Sequence, residues 1–284
     1  MVLMNVLRFT LKIKQILDTK NLRGDYVRIA IITAAGISSR FNEGVSENNK
    51  QLKVIYQEDD SKDTLLYHLI NHCSFADEII LVGGYKYDKL KEYVEKEAID
   101  MTGSRLTMVF NCWYEDLASG YSFYLGLQEA LKRENISEIL YVEGDLDIDK
   151  ASFQSVIENR HSVITYNHEP IYSNKSVALY QTQDEKYHYV FSSSHDLLKI
   201  TEPFKCILNS GQLWKFKDIN TLKKAYEHFD KTDKKGTNLS IIQDYLDNID
   251  VATISLIPLQ RWINCNTRED FTMIRKGWRK FELA

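Results

Sequence analysis

The sequence predicts an α/β fold with a mostly parallel sheet, carried by one domain. Three observations predict it. Short apolar, β-branched runs recur between residues 28 and 142, each followed by a stretch with helical spacing. The second half changes to closely spaced short strands, which predicts an antiparallel patch. No Pro-, Gly- or Ser-rich linker divides the 284 residues, and only three prolines occur, Pro170, Pro203 and Pro258.

Arg28–Thr33 (RIAIIT) is a buried strand that enters a tight loop at Ala34-Ala35-Gly36. A helix is expected over Thr64–Ser74, then a strand at Glu78–Val82, closed by Gly83-Gly84. Lys86–Ala98 reads as a charged helix, Leu106–Phe110 as a strand, Ser122–Lys132 as a helix and Glu138–Val142 as a fourth strand. Strand and helix alternating in this way make βαβ units. Beyond them come short strands at Ser162–Tyr166, Ser176–Gln181 and Tyr187–Ser192. Helices at Ile219–Phe229 and Leu239–Leu246 and a strand at Val251–Ile257 follow. A last helix covers Thr267–Lys276, where Thr267 and Asp270 are spaced as a capping box. The domain is expected to span residues 28–284.

Residues 1–27 form a separate extension. Apolar side chains at Val2, Leu3, Val6, Leu7, Leu11, Ile13, Ile16 and Leu17 give a helix one apolar face. That face suits packing on the domain or on a second copy of the chain, so a homodimer stays open. Arg8, Lys12 and Lys14 interrupt any secretory apolar core, and their charge also suits a membrane surface.

Composition narrows the function classes. Lys plus Arg is 36 and Asp plus Glu is 40, a formal net charge of -4. That balance argues against a dedicated nucleic-acid binder. Hydrophobic residues at 44% and charged ones at 27% exclude wholesale disorder. No apolar run approaches the roughly 20 residues of a membrane span. Cys73, Cys112, Cys206 and Cys265 stand far apart, with no metal-ligand spacing, which fits a reduced cytoplasmic protein.

Two segments carry the chemistry. Ala34-Ala35-Gly36-Ile37-Ser38-Ser39-Arg40 lets backbone approach a ligand closely, and its successive N–H groups can cradle an anion. Ser38 and Ser39 add hydroxyls, Arg40 a planar fork, and Lys50 in Lys50-Gln51-Leu52 a point charge. The glycines of a Walker A loop or a dinucleotide fingerprint are missing. At the end of the fourth strand, Glu143-Gly144-Asp145-Leu146-Asp147 offers hard oxygen ligands that suit Mg²⁺. Lys150 and Val156 exclude an EF-hand loop there.

With these residues the chain resembles nucleotidyltransferases of the GT-A-like type, phosphocholine cytidylyltransferases above all. Their opening signature, Ala-Ala-Gly-x-(Gly/Ser)-x-Arg followed by Pro-Lys-x-Leu, is matched by AAGISSR and NKQL, with Asn49 in place of proline. Trp262-Ile263-Asn264-Cys265-Asn266-Thr267-Arg268-Glu269-Asp270 resembles their closing segment, with Arg268 in place of its proline. Gly84-Tyr85 resembles a segment near the base, and Ser119-Gly120-Tyr121-Ser122 one near base or ribose.

The resemblance implies a Rossmann-like three-layer sandwich and transfer of a nucleotidyl group, with release of pyrophosphate. Ala34, Ala35, Gly36, Ser38, Ser39, Gly84, Tyr85, Ser119 and Ser122 would then hold the nucleotide. Arg40 and Lys50 would clamp the triphosphate. Asp145 would hold Mg²⁺ together with Asn266, Asn264 supporting and Asp147 as runner-up. Asp147, Glu202, Asn209 and Trp262 would lie on the acceptor side. The absence of the hexose-1-phosphate loop after Phe41 favours CTP and a small phosphate or phosphonate ester, phosphocholine or an aminoalkylphosphonate. Trp113, Tyr114, Tyr121, Tyr124, Trp214 and Trp262 are the candidate aromatics for a quaternary ammonium. A sugar-1-phosphate nucleotidyltransferase, a GT-A glycosyltransferase and a non-catalytic nucleotide-binding regulator remain as alternatives.

Overall fold

A computed structural model describes residues 26–58, 63–98, 102–174, 176–192 and 196–281. The expected helix over residues 1–27 falls, save its last two residues, outside the described ones. β1 (Val27–Ala34) begins the domain. Its register runs parallel to β2 (Glu78–Gly83) on one side and β4 (Ile136–Glu143) on the other. β3 (Leu106–Phe110) extends the parallel edge beyond β2.

β9 (Phe204–Phe216) joins this parallel half to the rest. It lies antiparallel between β4 and β6 (Ser162–Asn167), and β10 (Ile254–Leu259) pairs parallel with β6 at the far edge. The order is therefore β10-β6-β9-β4-β1-β2-β3. β7 (Ala178–Thr182) and β8 (Tyr187–Val190) form the antiparallel patch against β9. Pro258 is tolerated in β10 because an edge strand leaves one side unpaired.

Both faces of the sheet are covered, which is why its strands are almost wholly apolar. Ala30, Ile32 and Ala34 of β1 face one cluster, packed with Leu66 and Leu69 of α1 (Leu65–His72) and Phe153 of α4 (Lys150–Glu158). Ile29 and Ile31 face the other, with Phe123 and Leu127 of α3 (Ser119–Ala130), Leu222 of α5 (Ile219–Thr232) and Ile241 of α6 (Asn238–Asp247). This is the three-layer sandwich. α2 (Tyr87–Tyr93), continued by a π turn at Val94–Ala98, matches the charged helix expected there.

A third cluster joins Phe41, Leu65 and Cys265 to Phe271, Ile274 and Trp278 of α7 (Arg268–Phe281). The capping box at its start is formed: Thr267 N donates to Asp270 Oδ2 at 2.8 Å and Asp270 N to Thr267 Oγ1 at 3.2 Å. Arg268 packs over the Tyr56 ring at 4.4 Å and the Phe41 ring at 5.0 Å. This ties α7 to the loop that follows β1.

His68 stacks on Trp278 at 3.9 Å in this corner. Burial pushes its imidazole down to about 4, and Asp63 only partly opposes that. The folded state therefore favours neutral His68, a contribution present above the unfolded value of 6.5 and lost as pH falls through about 4. Urea midpoints of the wild type are expected to drop across that window, and His68→Gln to flatten the drop. An identical acid limb in the variant would exclude His68 as its source.

Candidate active site

The site lies at the carboxyl ends of β1 and β4, beside the point where strand order reverses, the usual ligand position in open α/β sheets. Two clefts meet there. The narrower one, of about 220 Å³, is lined by Ala34, Ala35, Gly36, Ser38, Lys53, Tyr114, Ser119 and Ser122. The wider one, of about 740 Å³, is lined by Arg40, Glu169, Tyr172, Phe191, Asn209, Trp262, Asn264, Asn266 and Asp270. Glu143 and Asp145 line both.

The loop after β1 takes its shape from Ser38, whose φ of 56° is left-handed backbone at the signature's Gly/Ser position. The Ser38 carbonyl accepts Asn42 Nδ2 at 3.0 Å, and Ser38 Oγ accepts Lys53 N at 3.4 Å. Gly36 stays exposed with open space beside it. Gly84 permits a close approach: a Cβ there would lie 2.6 Å from Tyr114 Cβ and 2.8 Å from the Ala35 carbonyl oxygen. Tyr85 N donates to that same carbonyl at 3.1 Å. Gly84 and Tyr85 thus shape the loop from behind, and Tyr114 supplies the ring that borders the cleft.

Ser119 and Ser122 sit at the start of α3. Ser119 Oγ donates to Asn238 Oδ1 at 3.0 Å, and Ser122 Oγ accepts Asn111 Nδ2 at 2.9 Å. Asn238 Nδ2 donates to Glu143 Oε1 at 2.7 Å and to Tyr141 Oη at 3.0 Å. Burial first, and the Asp145 charge second, push the Glu143 carboxyl up to about 8. Glu143 heads the run of hard oxygen ligands expected after the fourth strand, and it lines both clefts beside Asp145. Asn238, which holds it from behind, carries no sequence signal, because its partners Ser119, Tyr141 and Glu143 lie about a hundred residues away in the chain.

Gly144 makes the turn after β4. Its N–H donates to the Thr33 carbonyl at 2.8 Å, and a Cβ there would lie 2.7 Å from that oxygen. The turn sends Asp145 and Asp147 to different places. Asp147 lies on β5 (Leu146–Ile148), which pairs with β11 (Trp262–Asn264). Its buried carboxylate is held by Arg261 Nη1 at 2.8 Å and Trp278 Nε1 at 2.8 Å, and it lines neither cleft.

Asp145 faces the junction. Lys53 Nζ donates to Asp145 Oδ2 at 2.7 Å and to the Cys265 carbonyl at 3.0 Å. Cys265 N donates to the Asp145 carbonyl at 2.8 Å, so the two acidic-or-amide segments are stitched together. Asp145 Oδ1 and Asn264 Oδ1 are buried with no hydrogen-bond partner. Asn266 lines the wide cleft, its Nδ2 on the Asn264 carbonyl at 3.5 Å.

Of the two expected clamps, Arg40 is exposed and borders the wide cleft. Lys50 lines neither cleft; its ammonium pairs with Glu47 at 2.6 Å. Lys53, three residues on, holds the position inside. Ser39 is exposed and borders neither cleft. Glu202 accepts the Tyr180 hydroxyl at 2.7 Å outside both clefts, whereas Asn209 and Trp262 line the wide one. Among the described residues no group of three or more His, Cys, Asp or Glu side chains is placed to hold a metal, and no helix is long and apolar enough to cross a membrane.

Solved structures with the same fold include enzymes named as nucleotidyltransferases. CTP:phosphocholine cytidylyltransferase from Streptococcus pneumoniae matches over 89% of this chain and 99% of its own, with a TM-score of 0.59 and 17% identity. The inositol-1-phosphate CTP transferase from T. maritima matches over 86% and 91%, at 0.59 and 15%. HddC from Yersinia pseudotuberculosis matches over 88% and 99%, at 0.57 and 18%. At these identities the likeness establishes the fold, which is the nucleotidyltransferase fold that the resemblance implied. The chain belongs to the family described as a domain of unknown function, DUF6564, whose model matches residues 49–278. That span includes Lys53, Asp145 and Asn264 and begins after the Ala34–Arg40 loop. No curated protein matches the sequence.

Proposed function

We propose that this protein transfers a cytidylyl group from CTP to a small acceptor that carries a phosphate or phosphonate and a cationic head, phosphocholine or an aminoalkylphosphonate, with release of pyrophosphate. The observation that carries the reading is the meeting of two unlike clefts at Glu143 and Asp145. The narrow cleft lies under the Ala34–Ser38 loop, whose backbone suits phosphate groups. The wide cleft presents Tyr172, Phe191 and Trp262 with the carboxylates of Glu169 and Asp270, a lining suited to an ammonium group. Two of the structural relatives are named as users of CTP.

The donor set at the junction fits a divalent cation. Asp145 Oδ1 and Asn264 Oδ1 are hard oxygens, buried and unpartnered, on residues that both line the wide cleft. These two residues would hold Mg²⁺, with Asn266 beside them. When bound, Mg²⁺ supplies charge neutralisation and alignment at the triphosphate. The chain's own residues do the rest. The acceptor oxygen is already anionic, so no residue has to remove a proton. It attacks the α-phosphorus, and the bond to the pyrophosphate oxygen breaks with its electron pair. Arg40 from the wide cleft and Lys53 from the narrow one offset the charge that builds on this path. Lys50 joins them only by leaving Glu47. A cytoplasmic location fits CTP as the substrate and the free cysteines.

Pyrophosphate release from the four nucleoside triphosphates, each with phosphocholine, aminoethylphosphonate or glucose-1-phosphate, tests the reading. CTP with one of the two ammonium acceptors is expected to be fastest. Release with glucose-1-phosphate alone favours a sugar-1-phosphate nucleotidyltransferase. Consumption of a nucleotide-sugar without pyrophosphate marks a glycosyltransferase.

A further inference from the structure

Lys53 sits where no motif requires a lysine, and it sits on the carboxylate best placed for the metal. Its ammonium touches Asp145 Oδ2 at 2.7 Å and the Cys265 carbonyl at 3.0 Å. These oxygens belong to the two segments that also present Asp145 Oδ1 and Asn264 Oδ1. The pair is mostly enclosed, with the Lys53 and Asp145 side chains 15% and 21% exposed. One carboxylate is therefore offered to two cations. Lys53 also borders the narrow cleft, and its backbone N–H is anchored on Ser38 Oγ at 3.4 Å. The flexible four-carbon stem lets the ammonium move while that anchor stays.

We infer that the Lys53 ammonium competes with the divalent cation for Asp145 in the substrate-free protein, and passes to the triphosphate when the metal–nucleotide complex arrives. Before binding, the lysine keeps the Asp145 charge from standing uncompensated in a partly buried site. It also weakens metal binding in the absence of nucleotide, because the carboxylate that would hold the ion already neutralises an ammonium 2.7 Å from its other oxygen, and that ammonium repels a second cation. Afterwards the displaced charge is available to the anionic triphosphate. The second half of the inference rests on the nucleotidyl-transfer reading; the first half does not.

The experiment is a Mn²⁺ titration of the nucleotide-free protein, followed by electron paramagnetic resonance. Lys53→Met keeps the stem and removes the charge. It is expected to bind Mn²⁺ about fivefold more tightly than wild type, the scale of one partly exposed ion pair. Lys53→Arg keeps a cation on Asp145 and should bind as weakly as wild type, and Asp145→Asn should lose the site. A folded Lys53→Met with unchanged or weaker Mn²⁺ affinity overturns the competition and leaves Lys53 as a strut between two segments. Should that variant not fold, acetylation of the wild type decides: Mn²⁺ is expected to speed modification of Lys53 several-fold and leave Lys50 unaffected. Equal rates overturn the inference. None of these readouts needs turnover, so a protein that fails the pyrophosphate assay still tests it. In an active protein, Lys53→Met should also lower kcat more than it raises KM for CTP.

Discussion

Asp145→Asn is expected to lower turnover about a thousandfold while the protein stays folded. The substitution keeps the side chain's size and one carbonyl oxygen, and removes the charge that would hold the cation. Stability should change by only about 1 kcal/mol, because the lost Lys53 ion pair is partly solvated. Pyrophosphate release across a Mg²⁺ titration reads the first quantity, and a urea melt the second. Asn264→Ala and Asn266→Ala belong in the same titration. The buried, unpartnered oxygen is on Asn264, so Asn264→Ala should raise the Mg²⁺ needed for half-maximal rate more than Asn266→Ala does. Full turnover of Asp145→Asn at saturating Mg²⁺ would remove Asp145 from the site.

Trp214→Ala is expected to cost about 3–5 kcal/mol of stability, a loss large enough to unfold many domains of this size. Trp214 is fully buried on β9, stacks on Tyr141 at 5.2 Å and donates from Nε1 to Tyr189 Oη at 2.7 Å. Truncation leaves a cavity and takes the indole partner from the Tyr189 hydroxyl. Trp262 makes the contrast. It lines the wide cleft, so Trp262→Ala should raise the acceptor's KM well beyond its effect on the CTP KM. Denaturant midpoints and a two-substrate kinetic comparison separate the two tryptophans. A Trp214→Ala protein as stable as wild type would contradict the core position of that ring.

Sequence pattern alone marked both tryptophans as candidates for binding an ammonium group, because spacing along the chain carries no information on which face of a mixed sheet a ring occupies. Tyr121 and Tyr124 were candidates too. Tyr124 stacks on Tyr226 at 4.8 Å, within the packing of α3 against α5. The long strand β9 has no clear sequence signature for a related reason. Asn209, Ser210, Gly211 and Gln212 interrupt its apolar pattern, and Gln212 has a φ of 53°. Pairing on both sides, with β4 and β6, overrides the weak local propensity there.

The parallel half of the fold was legible because β1, β2 and β4 are buried on both faces and each, like the half-buried edge strand β3, carries its own apolar run. The loop after β1, the turn at Gly144-Asp145 and the capped start of α7 were legible for another reason: each depends on residues adjacent in the chain. Tertiary structure alone decided which charged groups share the site. Lys53 rather than Lys50 reaches Asp145, Asp147 turns to Arg261 and Trp278, and Asn264, which lines the wide cleft, keeps a buried oxygen without a partner. Those choices join segments some 90 to 210 residues apart, as the Lys53 contacts to Asp145 and Cys265 show. A side chain's partner across such a distance is set by how the layers pack, and no local pattern encodes it.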